Sequence, residues 1–453
     1  MVVVTVTEMG TSSPSPDADM RGAGLGHWVS NRRWPLVLTV VMAVFGMAFL
    51  VGWDPEVHHV EGWFVPGDVW GIFRGAHYIG WGYVGGIYTP GSGVVTFPGI
   101  CILLTPIALM STHFRWTESY PPYANAYPSA AFALMFFEML LAASALFAAD
   151  TLAQLLGVAR GRRIALCVVL AVTIWPLVAV WGHAEDALSV TFALYALVEA
   201  IRGRWSRTGW LMAIGILVQP LVLLMVPLLF AVSPARQRVP LIIRCASLSV
   251  VVMAFAFGGN WSGTYRAVVV QPTPPALNHP TPWLILAPVV AGAGRATVPI
   301  GAGVGPRHVP PSVSAGDSRL LDLVLALGIG LMAWRRRPSP AKLIWWSALA
   351  LSLRCIFEPV MTPYYLVPPL ILALLASAEN GLRRFVVAVT ATVALTLVSY
   401  QRLGEWEWWL PVTGLLLVVL ACGYPVEEDG AGEDPIGVTT PSVVGLTAAD
   451  EAI

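Results

Sequence analysis

Charge is what this chain lacks most. Only 11% of its 453 residues are Asp, Glu, Lys or Arg, against 57% hydrophobic, which leaves too little polar surface to cover a soluble globule of this size. Lysine is almost missing: Lys342 is the single lysine among 26 basic residues. We read the arginine excess as a GC-rich coding bias, and no nucleic acid is expected as a partner. Paired cysteines are missing too, since Cys101, Cys167, Cys245, Cys355 and Cys422 are scattered singly through apolar runs. That pattern excludes a disulfide framework and reads as small buried hydrophobes. Residues 1–27, rich in Ser, Pro, Gly and Asp, lack the apolar run of a signal peptide and read as a disordered cytoplasmic tail.

What is present is a series of apolar runs close to the roughly 20 residues that a spanning helix needs. Asn31, Arg32 and Arg33 precede a run over 34–51, so positive charge keeps the preceding segment inside and sends the following loop out. The clusters Arg160–Arg163, Arg202–Arg207, Arg236 with Arg238, Arg335–Lys342 and Arg383 with Arg384 belong on the inner face by the same rule. Spans near 129–151, 164–182, 187–201, 239–258, 320–334, 343–357, 361–377, 384–400 and 407–423, with a short hairpin over 209–218 and 220–232, satisfy all of them. The expected fold is an all-α polytopic membrane protein with about 12 transmembrane helices. Its membrane domain covers 28–424, and 425–453 form a disordered acidic tail. Both termini are expected in the cytoplasm of a multi-pass cell-membrane protein whose active face lies outside. The run from Phe97 to Met110 is about fourteen residues long and carries Pro98 and Pro106, short for a crossing. If it crossed, every later basic cluster would move outside, so it is expected to be a re-entrant or interfacial helix.

This topology gathers polar residues on one face. The long first outer loop, 54–128, holds Asp68, Arg74 and His77; the turn Gly182–Asp186 holds His183, Glu185 and Asp186; and the segment after Arg354 holds Glu358, Tyr364 and Tyr365. Ionisable residues at the edge of an apolar bundle are costly and tend to be functional. Asp54, Glu56, His58, His59 and Glu61 match no metal-ligand spacing and read as a solvated membrane boundary. No metal ligand and no cofactor is assigned, and the need for a divalent cation is left open. The second outer loop, 260–319, is rich in Pro and Gly and reads equally as a binding lid and as a disordered tether. Trp53, Trp63, Trp70, Trp81, Trp116, Trp283 and the cluster Trp406, Trp408 and Trp409 fall near predicted membrane boundaries; most of these read as an aromatic belt, with one or two left to stack on a sugar ring.

The residues Gly67-Asp68-Val69-Trp70, Phe73-Arg74-Gly75-Ala76, Thr96-Phe97-Pro98-Gly99 and Thr105-Pro106, with Trp181 to Leu188, Gly209 to Leu221 and Thr362-Pro363-Tyr364-Tyr365, follow one another through 34–424. This order resembles the GT-C superfamily of integral membrane glycosyltransferases. It is most similar to the polyprenol-phosphate-mannose-dependent glycosyltransferase family 87. Two departures are Phe97-Pro98-Gly99 where members often carry Tyr-Pro-Pro, and Gln219 where they often carry Lys before Pro220. The resemblance implies an inverting transfer of a sugar, mannose or another, from a polyprenyl-phosphate donor to an envelope glycolipid or polysaccharide at the outer face. It also implies Asp68 as general base.

The residues read by themselves are compatible with that chemistry. Inverting transfer needs a carboxylate to take the acceptor proton and cationic donors for the departing phosphate. Asp68 read alone fits a helix N-cap after Pro66-Gly67 better than the first role; with the resemblance counted the two readings are even and compatible. Arg74, His77, His183, Glu185, Asp186, Arg354, Glu358, Tyr364 and Tyr365 are the candidate substrate contacts. The alternative is a multispanning transporter or flippase of a lipid-linked or small solute. It is disfavoured by the few charges within the spans, Glu138 and Asp322 being the exceptions, and by the lack of an internal repeat.

Overall fold

The computed structural model describes residues 32–51, 67–89, 94, 96–113, 128–179, 181–275, 278–290, 297–298, 307–308, 312–401 and 403–425. Asp54 to Glu61, the N-terminal tail and the acidic tail lie outside them. The described chain is helical throughout, with fifteen α-helices and only two short pairs of strands. In chain order α1 spans Arg33–Val51, α2 Gly67–Gly80, α3 Pro98–His113, α4 Pro128–Leu155 and α5 Arg160–Ala179. They are followed by α6 over Ala184–Ile201, α7 over Trp205–Val218, α8 over Val226–Val232, α9 over Ala235–Gly259 and α10 over Trp261–Tyr265. The last five are α11 (Gly316–Arg336), α12 (Pro340–Phe357), α13 (Val367–Glu379), α14 (Leu382–Ser399) and α15 (Glu405–Gly423).

Five of these contain stretches long and apolar enough to cross a membrane: Phe136–Leu155, Arg160–Val178, Ala235–Gly259, Leu382–Ser399 and Glu405–Gly423. Their surfaces fit lipid rather than water. The same holds for α11, which is not one of the five: its exposed residues include Leu320, Val324, Leu327 and Leu331, while Asp322, Ala326, Ile329 and Ala333 are buried on the other face. Both sets recur at the three-and-four spacing of one helix side, so the apolar stripe faces outward and the carboxylate inward. The protein is therefore an α-helical membrane protein. The run predicted to be short for a crossing is α3, 16 residues with Pro106 inside it.

Two helices form the centre. Every α6 residue from Ala184 to Thr191 is buried, as is every α13 residue from Val367 to Ala378. Around them the largest cluster joins α4, α5, α7, α12 and α15. A second cluster packs α2 and α3 on Leu188 of α6 and Val218 of α7. In α2 the buried side chains Val69, Ile72, Phe73, Ala76 and His77 form a helical stripe, with Gly71 and Gly75 buried beside them.

Close approaches fix how this first-loop unit sits. A Cβ on Gly99 would lie 2.4 Å from the Leu217 carbonyl oxygen, so glycine lets the start of α3 rest directly on the end of α7. Gly85 and Gly259 meet in the same way, a Cβ on Gly85 falling 2.5 Å from the Gly259 Cα. At the far end of the bundle Asp150 receives two hydrogen bonds from Arg163, at 2.7 and 2.8 Å, and another from Arg32, tying α1, α4 and α5 together. The cluster Arg202, Arg204 and Arg207 surrounds Glu199 at the C-terminal end of α6. His183 is at the opposite end of that 18-residue helix, about 27 Å away at 1.5 Å per residue.

Two expectations change. The segment 260–319, left open between a lid and a tether, is not a loose tether where it is described. His279 and Pro280 pair with Met361 and Val360 as antiparallel strands, Thr281 donates to the Glu358 carbonyl at 2.7 Å, and His279 stacks on Trp408 with ring centroids 4.3 Å apart. Nor does Trp408 belong to a boundary belt: it is the largest fully buried side chain, and its indole N–H donates to Ser399 O at 3.2 Å. The five cysteines are unpaired, four of them buried.

Candidate functional site

The chain reverses between α5 and α6 at Gly182, whose φ of 68° is open to glycine and strained for most other residues. The reversal leaves His183 at the N-cap of α6 with Glu185 and Asp186 in the first turn, where the helix dipole favours negative charge. All three are buried. His183 Nδ1 and Glu185 Oε1 are 2.6 Å apart. Gln219, at the extended break after α7, donates to Asp186 Oδ1 at 3.3 Å. So the residue standing where a lysine is common in the resembling family gives this carboxylate a neutral hydrogen bond.

A second wall comes from the end of α12. Arg354 and Glu358 are one helical turn apart, with Nε and Oε2 separated by 3.4 Å, and Arg319 of α11 donates to Glu358 Oε1 at 3.3 Å. After Glu358 a short 3-10 turn, Pro363–Leu366, delivers Tyr364 and Tyr365. The Arg354 guanidinium lies over the Tyr365 ring, 3.5 Å from its centroid, and Tyr364 stacks on His183. Cation–π contact and ion pairing together keep this guanidinium in one orientation.

These walls enclose one cavity of about 390 Å³. Its polar side is made by His183, Glu185, Gln219, Arg319, Asp322 and Arg354. The apolar side includes Leu221, Leu223 and Leu320, of which Leu223 and Leu320 also reach the outer surface of the bundle. Thr96 and Phe97, just before α3, close the cavity on the first-loop side.

Of the residues singled out from sequence, His183, Glu185, Arg354, Tyr364 and Tyr365 line this cavity, and Asp186 and Glu358 are buried directly behind it. Arg74 and His77 do not line it. His77 faces the α2–α3 core, where its Nδ1–H donates to Phe73 O at 3.1 Å and burial lowers its pKa below the ordinary imidazole value. Asp68 is the second residue of α2, and its side chain lies outside the described part of the structure. Sequence reasoning missed Arg319, Gln271 and Thr96 as cavity residues, and set Glu138 and Asp322 aside as isolated charges in spans. Asp322 lines the cavity, and Glu138 lies close enough to Glu185 and His183 for their charges to act on it.

Comparison with protein-family models, with curated proteins and with solved structures returned no match. The functional reading therefore stands on the residues and their geometry.

Proposed function

We propose that the protein is an inverting membrane glycosyltransferase. It moves a sugar, mannose as first candidate, from a polyprenyl-phosphate donor to an envelope glycolipid or polysaccharide at the outer face of the cell membrane. The observation that carries this reading is the two-sided cavity, in which carboxylates, imidazole and two arginines face a leucine wall that continues to the lipid-facing surface. A volume of about 390 Å³ falls in the range of small-molecule sites. A lipid-linked sugar has the matching polarity: its prenyl chain lies along Leu223 and Leu320, and its head enters among Glu185, Arg354 and Tyr364.

In the proposed reaction a carboxylate takes the proton of the acceptor hydroxyl as that oxygen attacks the anomeric carbon. The bond from this carbon to the phosphate oxygen breaks, and its electron pair stays on the phosphate, where Arg354 and Arg319 offset the growing charge. Asp68 is the base in this reading; His183, Glu185, Asp186 and the tyrosines hold the sugar. The topology follows the same logic. The basic clusters at the C-terminal end of α6 are cytoplasmic, which sets the cavity at the opposite, outer end, and α3 is re-entrant.

The test is transfer of radiolabelled mannose from polyprenyl-phosphate mannose to membrane acceptors by the protein in proteoliposomes. Asp68→Asn abolishes transfer while the variant remains folded in the membrane; a wild-type rate in that variant removes Asp68 from the base role. Absence of transfer from every polyprenyl-phosphate sugar tried removes the reading itself. A transporter or flippase is the second reading, favoured by one observation: Glu138 and Asp322 are buried inside the helix bundle. Its signature is movement of a labelled lipid-linked sugar across the vesicle with no new glycosidic bond.

A further inference from the structure

Two buried carboxylates and one imidazole meet beside the cavity, with a third buried carboxylate, Glu138, in the same part of the bundle and little positive charge around them. One donor atom each from His183, Glu185 and Asp186 falls in a group whose members all lie within 4.8 Å of one another. Opposite ligands of a single magnesium-sized or calcium-sized cation are about 4 to 5 Å apart, so these side chains reach one ion as they stand. Four oxygens among the surrounding carboxylates have no hydrogen-bond partner: Glu185 Oε2, Asp186 Oδ2 and both oxygens of Glu138. Glu138, Glu185 and Asp186 are each 0% exposed. An unpaired carboxylate oxygen shut away from water is among the most expensive arrangements in a protein, and neutral hydrogen bonding does not relieve it here. Gln219 serves only Asp186 Oδ1. Arg354 acts on Asp186 from a distance but is engaged by Glu358 and by the Tyr365 ring.

We propose that His183, Glu185 and Asp186 form a binding site for one divalent cation of the Mn²⁺ or Zn²⁺ class. A mixture of carboxylate oxygens and one imidazole nitrogen, with no thiolate, suits a borderline to hard divalent ion. Glu185 and Asp186 come from the first turn of α6 and His183 from its cap. The ion thus lies against the cavity through His183 and Glu185. This inference stands on the three side chains and does not depend on sugar transfer.

The decisive measurement is Mn²⁺ binding to the full chain in detergent, read by loss of the free-ion electron paramagnetic resonance signal and checked by competition with Zn²⁺ and Mg²⁺. One ion per chain is expected, displaced by Zn²⁺ more readily than by Mg²⁺. Glu185→Gln and Asp186→Asn are each expected to raise the dissociation constant at least tenfold. His183→Gln provides a third variant with the same expected direction, and elution as a monodisperse peak shows that each variant is folded. The proposal is overturned if the wild-type protein takes up neither Mn²⁺ nor Zn²⁺. It is equally overturned if all three folded variants bind as wild type does, or if the two carboxyl variants unfold at higher temperature than wild type with no change in metal content, the result expected of carboxyls that are simply protonated and buried.

Discussion

The imidazole of His183 lies flat against the phenol ring of Tyr364, with centroids 3.9 Å apart and planes 20° from parallel. This one contact joins the turn before α6 to the turn before α13, the two central helices of the bundle. Tyr364 also meets Trp181 edge-on at 5.9 Å and Tyr365 at 4.6 Å. The cavity wall is thus an aromatic mesh in which His183 can turn only if Tyr364 moves.

Removing the stacked ring should separate stability from polarity. Tyr364→Phe keeps the ring and is expected to unfold within about 0.5 kcal/mol of wild type, whereas Tyr364→Leu loses an aromatic pair worth about 0.5–1.5 kcal/mol beyond its buried area. Denaturant or thermal unfolding in detergent measures both. If the two variants lose stability equally, the stack contributes nothing and the phenol hydroxyl is the part that matters.

Gly99 offers a sharper steric test. Its added methyl group in Gly99→Ala would meet the Leu217 carbonyl and the Val218 nitrogen at 2.4 and 2.7 Å, both backbone atoms that cannot rotate away. The start of α3 must shift, carrying Thr96 and Phe97 out of the cavity wall. Overpacking of this kind costs about 1–3 kcal/mol, so the variant should melt earlier and bind a cavity ligand more weakly. Wild-type melting would show that α3 does not rest on α7 as described.

Why some of this site was readable in the sequence, and some not, follows from where its parts lie along the chain. Glu185 with Asp186, and Tyr364 with Tyr365, stand at the ends of apolar runs, where a polar residue is conspicuous. Glu138 stands inside such a run, and the groups whose charge acts on it, Glu185 and His183, come from another part of the chain, so no spacing announces it. Gln219 stood out only as a missing lysine, and its hydrogen bond to Asp186 exists only in three dimensions. The misplacement of His77 was avoidable. Val69, Ile72, Phe73, Ala76 and His77 form one helical stripe, and that period alone assigns the imidazole to the core. The long loop after α9 was hidden for another reason, since its anchors are two-residue strand pairings too short to leave a pattern.

Burial of His77 has a pH signature. Its folded-state pKa lies below the ordinary imidazole value, chiefly through desolvation, so the unfolded chain binds the proton first. Stability from this group is fully present above about pH 6.5, the unfolded value, and is lost as pH falls from there through the folded pKa. Protection factors of amides in 67–80 and 98–113, corrected for the intrinsic pH dependence of exchange, should therefore fall between pH 7 and pH 5, and a folded His77→Phe variant should lose most of that dependence. An equal fall in the variant would assign the effect to other groups.

The Arg354–Glu358 pair carries the largest expected energy. Arg354 is 7% exposed and Glu358 2%, so removing one partner leaves a buried charge facing the other. Breaking such a pair costs about 3–5 kcal/mol, while replacing both members by apolar residues of similar size is often neutral. Arg319 complicates the simple case in a useful way: it already donates to Glu358 Oε1 and is partly exposed, so it can follow the carboxylate when Arg354 is gone. Arg354→Met should accordingly cost less than Glu358→Met, because the first leaves Glu358 one arginine and the second leaves Arg354 only the Tyr365 ring and the more distant Asp186. The double variant should recover at least half of the larger loss. Unfolding of the two single variants and the double variant in one detergent measures this cycle, and additive losses would show that the two side chains do not act as a pair.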